Sequence, residues 1–411
     1  MDSLSYLLIF ITSLFVVGCL LTPIAARMGA PFLLLFLCIG MLMGEDGVGG
    51  VRFDDFPLAY EIGAISLALI LFSGGLDTDS RTLRKAAAPA FVLSIAGVVL
   101  TTGIVGVLIH VFFDLALAEG LLLGAVIGST DAAATFLLLR QRNIRLKDGL
   151  GETLMVEAGI NDPMAIFLTL TMVTIVDTEL PLNMTTFVSF LPDLALQLGL
   201  GALAGGVGGV VISTLINRIK MPVSLFAPFA MAAALLVFNL TTVFGGSGFL
   251  AVYICGVILR HRMTHQTERV IQFHDGLSWI SQIVLFLMLG LLVTPMDVLG
   301  QIPYGLGVAA VLIFIARPLA TVLCLTPFRV GLRQQAFIGW VGLRGAVPIF
   351  LAIIPIISPG PVSTGFFDVV FVVVVASLFL QGWTISLAAR WLGLIEEPLD
   401  GPELPLAKAK D

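Results

Sequence analysis

The chain has 411 residues, of which 58% are apolar and only 12% are charged, and its formal net charge is −6. A soluble domain carries roughly 25% charged residues, so this chain cannot face water over its whole surface. The mean hydropathy of +1.07 agrees with that conclusion. These values exclude an ordinary soluble protein and predict an all-α polytopic membrane protein surrounded by lipid.

A membrane-spanning helix needs roughly 20 mostly apolar residues, and apolar runs of about this length recur along the chain. Thirteen are predicted, at 4–23, 31–44, 59–76, 88–112, 118–138, 150–176, 188–215, 223–242, 248–260, 276–294, 303–325, 335–354 and 365–390. The second and the ninth are short. The four cysteines lie inside these runs without a CxxC pair, which favours buried thiols over disulfides or metal ligands.

The positions of the basic residues predict the orientation of the chain. With the N-terminus outside, 18 of the 21 Lys and Arg fall in inner segments, and only Arg52 falls in an outer segment. Because Lys and Arg are enriched in cytoplasmic loops, we expect a periplasmic N-terminus and a cytoplasmic C-terminus. The sequence divides into a transmembrane domain at 1–395 and a polar cytoplasmic tail at 396–411.

Two predicted spans contain polar, helix-breaking sequence. The fifth carries GSTD at 128–131, and the twelfth carries GLRGAVP at 342–348. An offset of seven spans reverses the orientation, so the two are expected to be equivalent parts of an inverted repeat. Paired interrupted helices of this kind point to the binding site of a transporter.

Charged side chains inside the predicted spans are the second signal. A charge at the centre of a membrane costs about 2.5–3.5 kcal/mol on insertion scales. The simplest alternative is that such charges form ion pairs that only hold helices together. Five charges in one chain, two of them in interrupted spans, favour a functional site: Asp131, Glu157, Asp162, Arg317 and Arg344.

The sixth predicted span contains the residues best suited to bind a cation. Glu157 and Asn161 are four residues apart and share one helix face, with Asp162 on the adjacent face. Pro163 removes a backbone donor and frees a carbonyl about one turn earlier. A carboxylate beside free backbone oxygens suits a hard monovalent cation, and Asp131 is predicted to supply a second carboxylate or to orient the first.

Burial of a carboxylate connects this cation site to protons. A low dielectric disfavours the charged form of a carboxylate, so Asp162 is predicted to hold either a proton or a metal cation. One such site, exposed alternately to each side, is an antiporter. Asn161 is neutral, which predicts one proton exchanged for one cation without net charge. Arg317 needs an anionic partner, predicted to be Glu157, and Arg344 is expected to neutralise carbonyl or carboxylate groups at the second interruption.

These residues resemble those of the NhaP-like bacterial cation/proton antiporters, monovalent cation:proton antiporter family 1. The resemblance covers essentially the whole chain. It rests on LFSGGL at 71–76, TD at 130–131, EAGINDP at 157–163 and GLRGAVP at 342–348. The sequence GMLMGEDG at 40–47 looks like the potassium/proton branch.

The resemblance implies an NhaA-like antiporter fold and a homodimer in the bacterial inner membrane that serves pH homeostasis, with no enzyme activity and no cofactor. It implies Asp162 as the essential ion-binding carboxylate, supported by Asp131 and the Thr130 backbone. Asn161 would lie behind these ligands, and Glu157 would pair with Arg317. Relatives in the potassium branch also carry a cytosolic regulatory region, for which these 411 residues have no counterpart.

The identity of the cation depends on one departure from the family pattern. Sodium-transporting relatives carry a serine where this chain has Ala158. The loss of that hydroxyl favours potassium, with rubidium or sodium as weaker substrates, and sodium/proton antiport is the alternative. The expected partners are the cation, protons, lipid and a second copy of the chain, without nucleic acid.

Two other classes of protein are remote alternatives. The sequence GGSG at 245–248 matches a pattern of intramembrane serine proteases, but such a serine needs a histidine base within reach, and none of the four histidines is mid-span. No GxGD pattern accompanies Asp131 or Asp162, as an aspartyl protease would require. A cation channel needs a filter, and no filter-like loop occurs in the sequence.

Overall fold

The structure is a computed structural model that describes residues 12–13, 15–18, 20, 32–78, 88–131, 134–135, 138–139, 144, 146–147, 149–219 and 221–396. Most of the first predicted span and the predicted tail after residue 396 lie outside these residues. The described part is helical, and the one isolated β-bridge within it joins Leu146 to Ile395.

The helices are labelled in chain order. They are α1 Phe32–Met43, α2 Phe56–Asp77, α3 Ala88–Phe113, α4 Leu117–Val126, α5 Leu150–Asp177, α6 Met184–Ser189, α7 Leu191–Arg218, α8 Phe226–Val243, α9 Gly248–Arg262, α10 Thr267–Leu291, α11 Pro295–Phe328, α12 Leu332–Trp340, α13 Ala346–Ile357 and α14 Gly365–Trp391. A short helical turn, Val223–Leu225, precedes α8.

Eight helical segments among the described residues are long and apolar enough to cross a membrane, and α1, α4 and α13 are shorter apolar helices. The chain is therefore a multi-pass integral membrane protein. The second to thirteenth predicted spans each overlap at least one described helix. Two begin earlier than predicted, at Thr267 and Pro295, because Glu268 and Asp297 in their first turns lower the local hydropathy.

Both predicted interruptions are present. Helix α4 ends at Val126, residues 127–131 are non-helical, and helical residues follow from Ala134. The second break separates α12, which ends at Trp340, from α13, which begins at Ala346. The two breaks meet, because the backbone N–H of Asp131 donates to the carbonyl of Leu343 at 2.8 Å.

Two segments of π-helix were not predicted. One, Leu93–Gly97, lies within α3, and the other, Val311–Ala316, lies within α11. Each π segment belongs to the long helix that precedes an interrupted span, so the same order of features occurs twice along the chain. Single π turns inside α-helices are frequent at functional sites.

Close glycine contacts join α2, α7 and α9. Gly205 of α7 lies against the backbone carbonyl of Ala251 in α9, and Gly75 of α2 lies against the backbone at Gly256 in α9, so that a β-carbon at either glycine would collide with the neighbouring helix. Helix α5 packs instead mainly on α4 and on the π segment of α3. The charged residues of α5 therefore lie between α2, α7 and α9 on one side and α3 and α4 on the other.

Candidate ion-binding site

Helix α5 brings two carboxylates and an amide into the interior of the protein. Glu157 is 1% exposed, Asn161 is fully buried and Asp162 is 5% exposed. The helix continues through Pro163 without a break. Proline has no N–H to donate to the carbonyl four residues earlier, so the carbonyl of Gly159 is left without that intrahelical bond.

The nearest partner of Asp162 comes from the first break. The hydroxyl of Ser129 donates to Oδ1 of Asp162. The carbonyl of the same serine accepts a hydrogen bond from Nη1 of Arg344 at 2.5 Å. This contact was not predicted for Ser129 in particular, although its place in the polar stretch at 128–131 was the available signal.

Asn161 binds Thr130 and not its neighbour Asp162. Its amide Nδ2 donates to the hydroxyl of Thr130 at 2.6 Å and, less closely, to the carbonyl of Thr130 at 3.4 Å. The Thr130 hydroxyl lies 3.5 Å from Oε1 of Glu157. The Thr130 carbonyl, implied as a cation ligand, is thus already close to an amide donor.

Asp131 lies where two helix beginnings meet. Its Oδ1 accepts from the backbone N–H of Ala134 at 2.9 Å, and its side chain lies so close to Gly345 that any side chain there would collide with it. Gly345 is the residue before α13. Helix N-termini favour negative charge, so Asp131 is placed to stabilise both broken helices. It also lines the same cavity as Asp162 and Thr130.

Glu157 and Arg317 form a buried ion pair. Nη2 of Arg317 lies 2.5 Å from Oε1 of Glu157, and both side chains are at most 2% exposed. The hydroxyl of Ser94, in the π segment of α3, lies 2.6 Å from the carbonyl of Ala90 and 3.0 Å from the backbone carbonyl of Glu157. Arg317 follows directly after the π segment of α11, so both π segments converge on Glu157.

Arg344 crosses from the second break to the first. Its side chain is fully buried, and besides Ser129 it binds the carbonyl of Gly128 at 3.2 Å. Its own backbone N–H donates to the hydroxyl of Ser377 at 2.9 Å, and the amide of Gln381 donates to the carbonyl of Trp340 at 2.7 Å. These two α14 residues were not predicted to belong to the site; their signal in the sequence was two polar side chains four residues apart in an apolar span.

A cavity of about 250 Å³ leads to the site. It lies between α5 on one side and α2, α9 and α10 on the others, with Asp162 among its lining residues. Asp77 at the end of α2 and Asp275 in α10 also line it, and so do Ala158 and Tyr253. The cavity thus joins the interior carboxylates to two acidic residues of neighbouring helices, Asp77 and Asp275.

The chain matches the family model described as "Sodium/hydrogen exchanger, transmembrane" over residues 11–391. It is 43% identical over 403 residues to the K(+)/H(+) antiporter NhaP of Alkalimonas amylolytica, covering 98% of this chain and 70% of the relative. It is 42% identical over 410 residues to the K(+)/H(+) antiporter NhaP2 of Shewanella oneidensis, covering 97% and 70%.

A likeness to a solved structure shows the fold independently. The sodium proton antiporter MjNhaP1 from Methanocaldococcus jannaschii at pH 8 superposes with a TM-score of 0.81 at 23% sequence identity. The match covers 95% of this chain and all of that one.

Proposed function

The chain belongs to the sodium/hydrogen exchanger family, and we propose that it is an antiporter that exchanges potassium ions for protons across the bacterial inner membrane. The observation that carries the proposal is Asp162, a buried carboxylate at a cavity beside two crossing helix breaks. Relatives that share 42–43% of its residues over nearly the whole chain are K(+)/H(+) antiporters.

Asp162 is the exchanging group in this proposal. A buried carboxylate is costly to leave charged and unpaired, so it takes up either a proton or a potassium ion, each of which neutralises it. The Ser129 hydroxyl orients one of its oxygens, and Asp131 and Thr130 line the same cavity as supporting ligands. Glu157 is excluded as the exchanging group because Arg317 already neutralises it.

Alternating exposure of Asp162 completes the exchange. The cavity reaches the site from the side of Asp77 and Asp275, which the distribution of basic residues assigns to the cytoplasm. Exposure to the other side requires α5 and the broken helices to move past α2, α9 and α10. The remaining parts of the proposal are a homodimer of chains with thirteen spans, an inverted-repeat, NhaA-like arrangement and a periplasmic N-terminus.

The lining of the cavity favours potassium over sodium, because it lacks a side-chain oxygen at residue 158. Ala158 lines it close to Asp162 and offers no oxygen, whereas sodium, with its tightly held hydration shell, needs close ligands to replace that water. The sodium/proton alternative would require an ordered water to substitute for the missing ligand.

The decisive measurement is proton movement in proteoliposomes, followed by a pH-sensitive dye and titrated separately with potassium, sodium and lithium at several pH values. We expect potassium to give the lowest half-saturation concentration. A sodium value well below that for potassium would overturn the assignment of the cation. Proton flux that no monovalent cation stimulates would overturn antiport itself.

Asp162→Asn tests the exchanging group. An amide cannot be charged by losing a proton, so the variant should lose cation-dependent proton flux while keeping its melting temperature in detergent. Asp177→Asn is the matched control, because it changes a carboxylate at the far end of the same helix and should retain exchange. Substantial flux in Asp162→Asn would show that another group carries the ions.

A further inference from the structure

Tyr253 of α9 is a buried polar residue that the proposed exchange does not yet use. It is 4% exposed and lines the same cavity as Asp162. Its backbone packs on α2, because the backbone carbonyl oxygen of Tyr253 lies against Gly75. Its side chain reaches across to α5.

The contact on α5 is Gly159. The hydroxyl end of the Tyr253 ring lies directly on the α5 backbone there, and a β-carbon at residue 159 would overlap three of the ring carbons. Gly159 is three residues before Asp162 and therefore lies on nearly the same helix face. The ring thus rests on the segment of α5 that carries the exchanging carboxylate.

A second, longer contact joins the phenol to the end of α2. The phenol oxygen of Tyr253 lies 3.4 Å from the hydroxyl of Thr78. Thr78 directly follows α2, and its hydroxyl is fixed by a 2.8 Å bond to the carbonyl of Gly74. The tyrosine therefore bridges the end of α2 to the middle of α5.

We propose that Tyr253 is a positioning residue that holds α5, and with it Asp162, where the cavity reaches Asp77 and Asp275. Its ring must leave Gly159 before the site can turn to the opposite side of the membrane. The inference rests on the proposed exchange function, which supplies the need for α5 to move. In this proposal residue 159 is a glycine because only a residue without a side chain leaves room for the Tyr253 ring.

The test adds a methyl group at residue 159, beneath the ring of residue 253, in three proteins that differ at residue 253. Gly159→Ala is combined with Tyr253, with Tyr253→Phe, which keeps the ring, and with Tyr253→Leu, which removes it. At saturating potassium in proteoliposomes, we expect Gly159→Ala to lower exchange by about tenfold beside Tyr or Phe, equivalent to about 1.4 kcal/mol, because a displaced ring no longer holds Asp162 where the cavity reaches Asp77. Beside Leu the same change should cost less than about threefold, because the ring it would displace is gone.

Gly199→Ala is the matched control. Gly199 is a glycine of α7, away from the cavity, and a β-carbon there would meet nothing within 4 Å, so exchange should stay within about twofold of the unchanged chain. An equal loss from Gly159→Ala in all three backgrounds, or no loss beside Tyr, would overturn the inference. Absence of potassium-dependent exchange in the unchanged chain would instead overturn the proposed function.

A labelling experiment tests the same inference without transport. Ala158→Cys, which faces the cavity, is introduced with the four natural cysteines replaced by alanine, and a membrane-impermeant methanethiosulfonate reagent is applied to vesicles of each orientation. Tyr253→Leu should slow labelling from the side of Asp77 at least threefold, whereas Tyr253→Phe should stay within about twofold. Equal labelling in the presence of Tyr and Leu would show that the ring does not hold the observed conformation.

Discussion

Glu157 and Asp162 are two buried carboxylates five residues apart on one helix, yet they meet different partners. Glu157 is paired with a guanidinium at 2.5 Å, which gives it a counter-charge from the protein itself. Asp162 receives a neutral hydroxyl, and no ion pair involves it in the described part of the chain. A carboxylate without a fixed counter-charge remains open to a proton or a cation, so the two residues have different roles.

Ser129→Ala tests how the hydroxyl sets the protonation of Asp162. A donated hydrogen bond favours the charged carboxylate, so its loss should make the proton harder to release. We expect the pH of half-maximal exchange to rise by about one to two units, because a hydrogen bond to a charged group is worth roughly 1.5–3 kcal/mol and one unit corresponds to about 1.4 kcal/mol. The measurement is the pH profile of potassium-dependent proton flux.

Ser213→Ala is the control for this change, since Ser213 is a buried serine of α7 whose one hydrogen bond to the described residues is to the carbonyl of Val210 in its own helix. Its pH profile should match that of the unchanged chain. A profile for Ser129→Ala that moves towards acid, or does not move, would contradict the role given to the hydroxyl.

Ala158→Ser tests how the cavity wall sets the cation. The added hydroxyl would face the cavity close to Asp162 and would supply an oxygen to an ion that needs close ligands. We therefore expect the ratio of sodium to potassium half-saturation concentrations to fall several-fold, while the maximal exchange rate changes less. An unchanged ratio would mean that selectivity is set elsewhere, for example by Asp131 and Thr130.

At the scale of the helices, the two π segments explain how charged residues can pack so closely. A π turn adds a residue to the helix and re-aims its side chains. The first places Ser94 against the carbonyl of Glu157, and the second ends directly before Arg317. Hydropathy carries no signal for this, because both segments are as apolar as their surroundings, so the sequence predicted the pair but not the geometry that makes it possible.

The Glu157–Arg317 pair joins α5 to α11, and removing one partner leaves a buried charge. Such a loss typically costs about 3–5 kcal/mol. Glu157→Gln and Arg317→Ala should each lower the melting temperature in detergent together with the exchange activity. The double variant should be less damaged than the sum of the two single losses, because it leaves no unpaired charge.

The pair between Arg52 and Glu45 provides the comparison. It also has a short separation, 2.6 Å, but its side chains are 79% and 44% exposed. Surface pairs are worth roughly 0–1 kcal/mol, so Glu45→Gln should leave the melting temperature almost unchanged. Strict additivity of Glu157→Gln and Arg317→Ala would mean that the two side chains do not interact.

For the whole molecule, sequence predicted most where lipid imposes a simple rule. An apolar run must become a spanning helix because the bilayer satisfies no backbone polar group, and the same rule made the polar breaks at 128–131 and 342–348 visible. Other features depend on contacts between distant segments. These are the crossing of the two breaks, the hydrogen bond from the backbone of Arg344 to Ser377, and the packing of Tyr253 on Gly159. No local pattern encodes those contacts, so they required the structure.

The charge balance of the site predicts that the exchange moves no net charge. Asp162 is neutral with either bound ion, Glu157 stays neutralised by Arg317, and Asn161 has no charge to change. Moving one uncompensated charge would couple transport to the membrane potential by about 2.3 kcal/mol per 100 mV. Potassium-driven proton flux in proteoliposomes should therefore be equal with and without thiocyanate, a permeant anion that collapses the potential. Liposomes containing a protonophore serve as the control in which thiocyanate must accelerate the flux. Faster exchange by the protein in thiocyanate would mean that a second charged group, with Asp131 as the nearest candidate, travels with the ions.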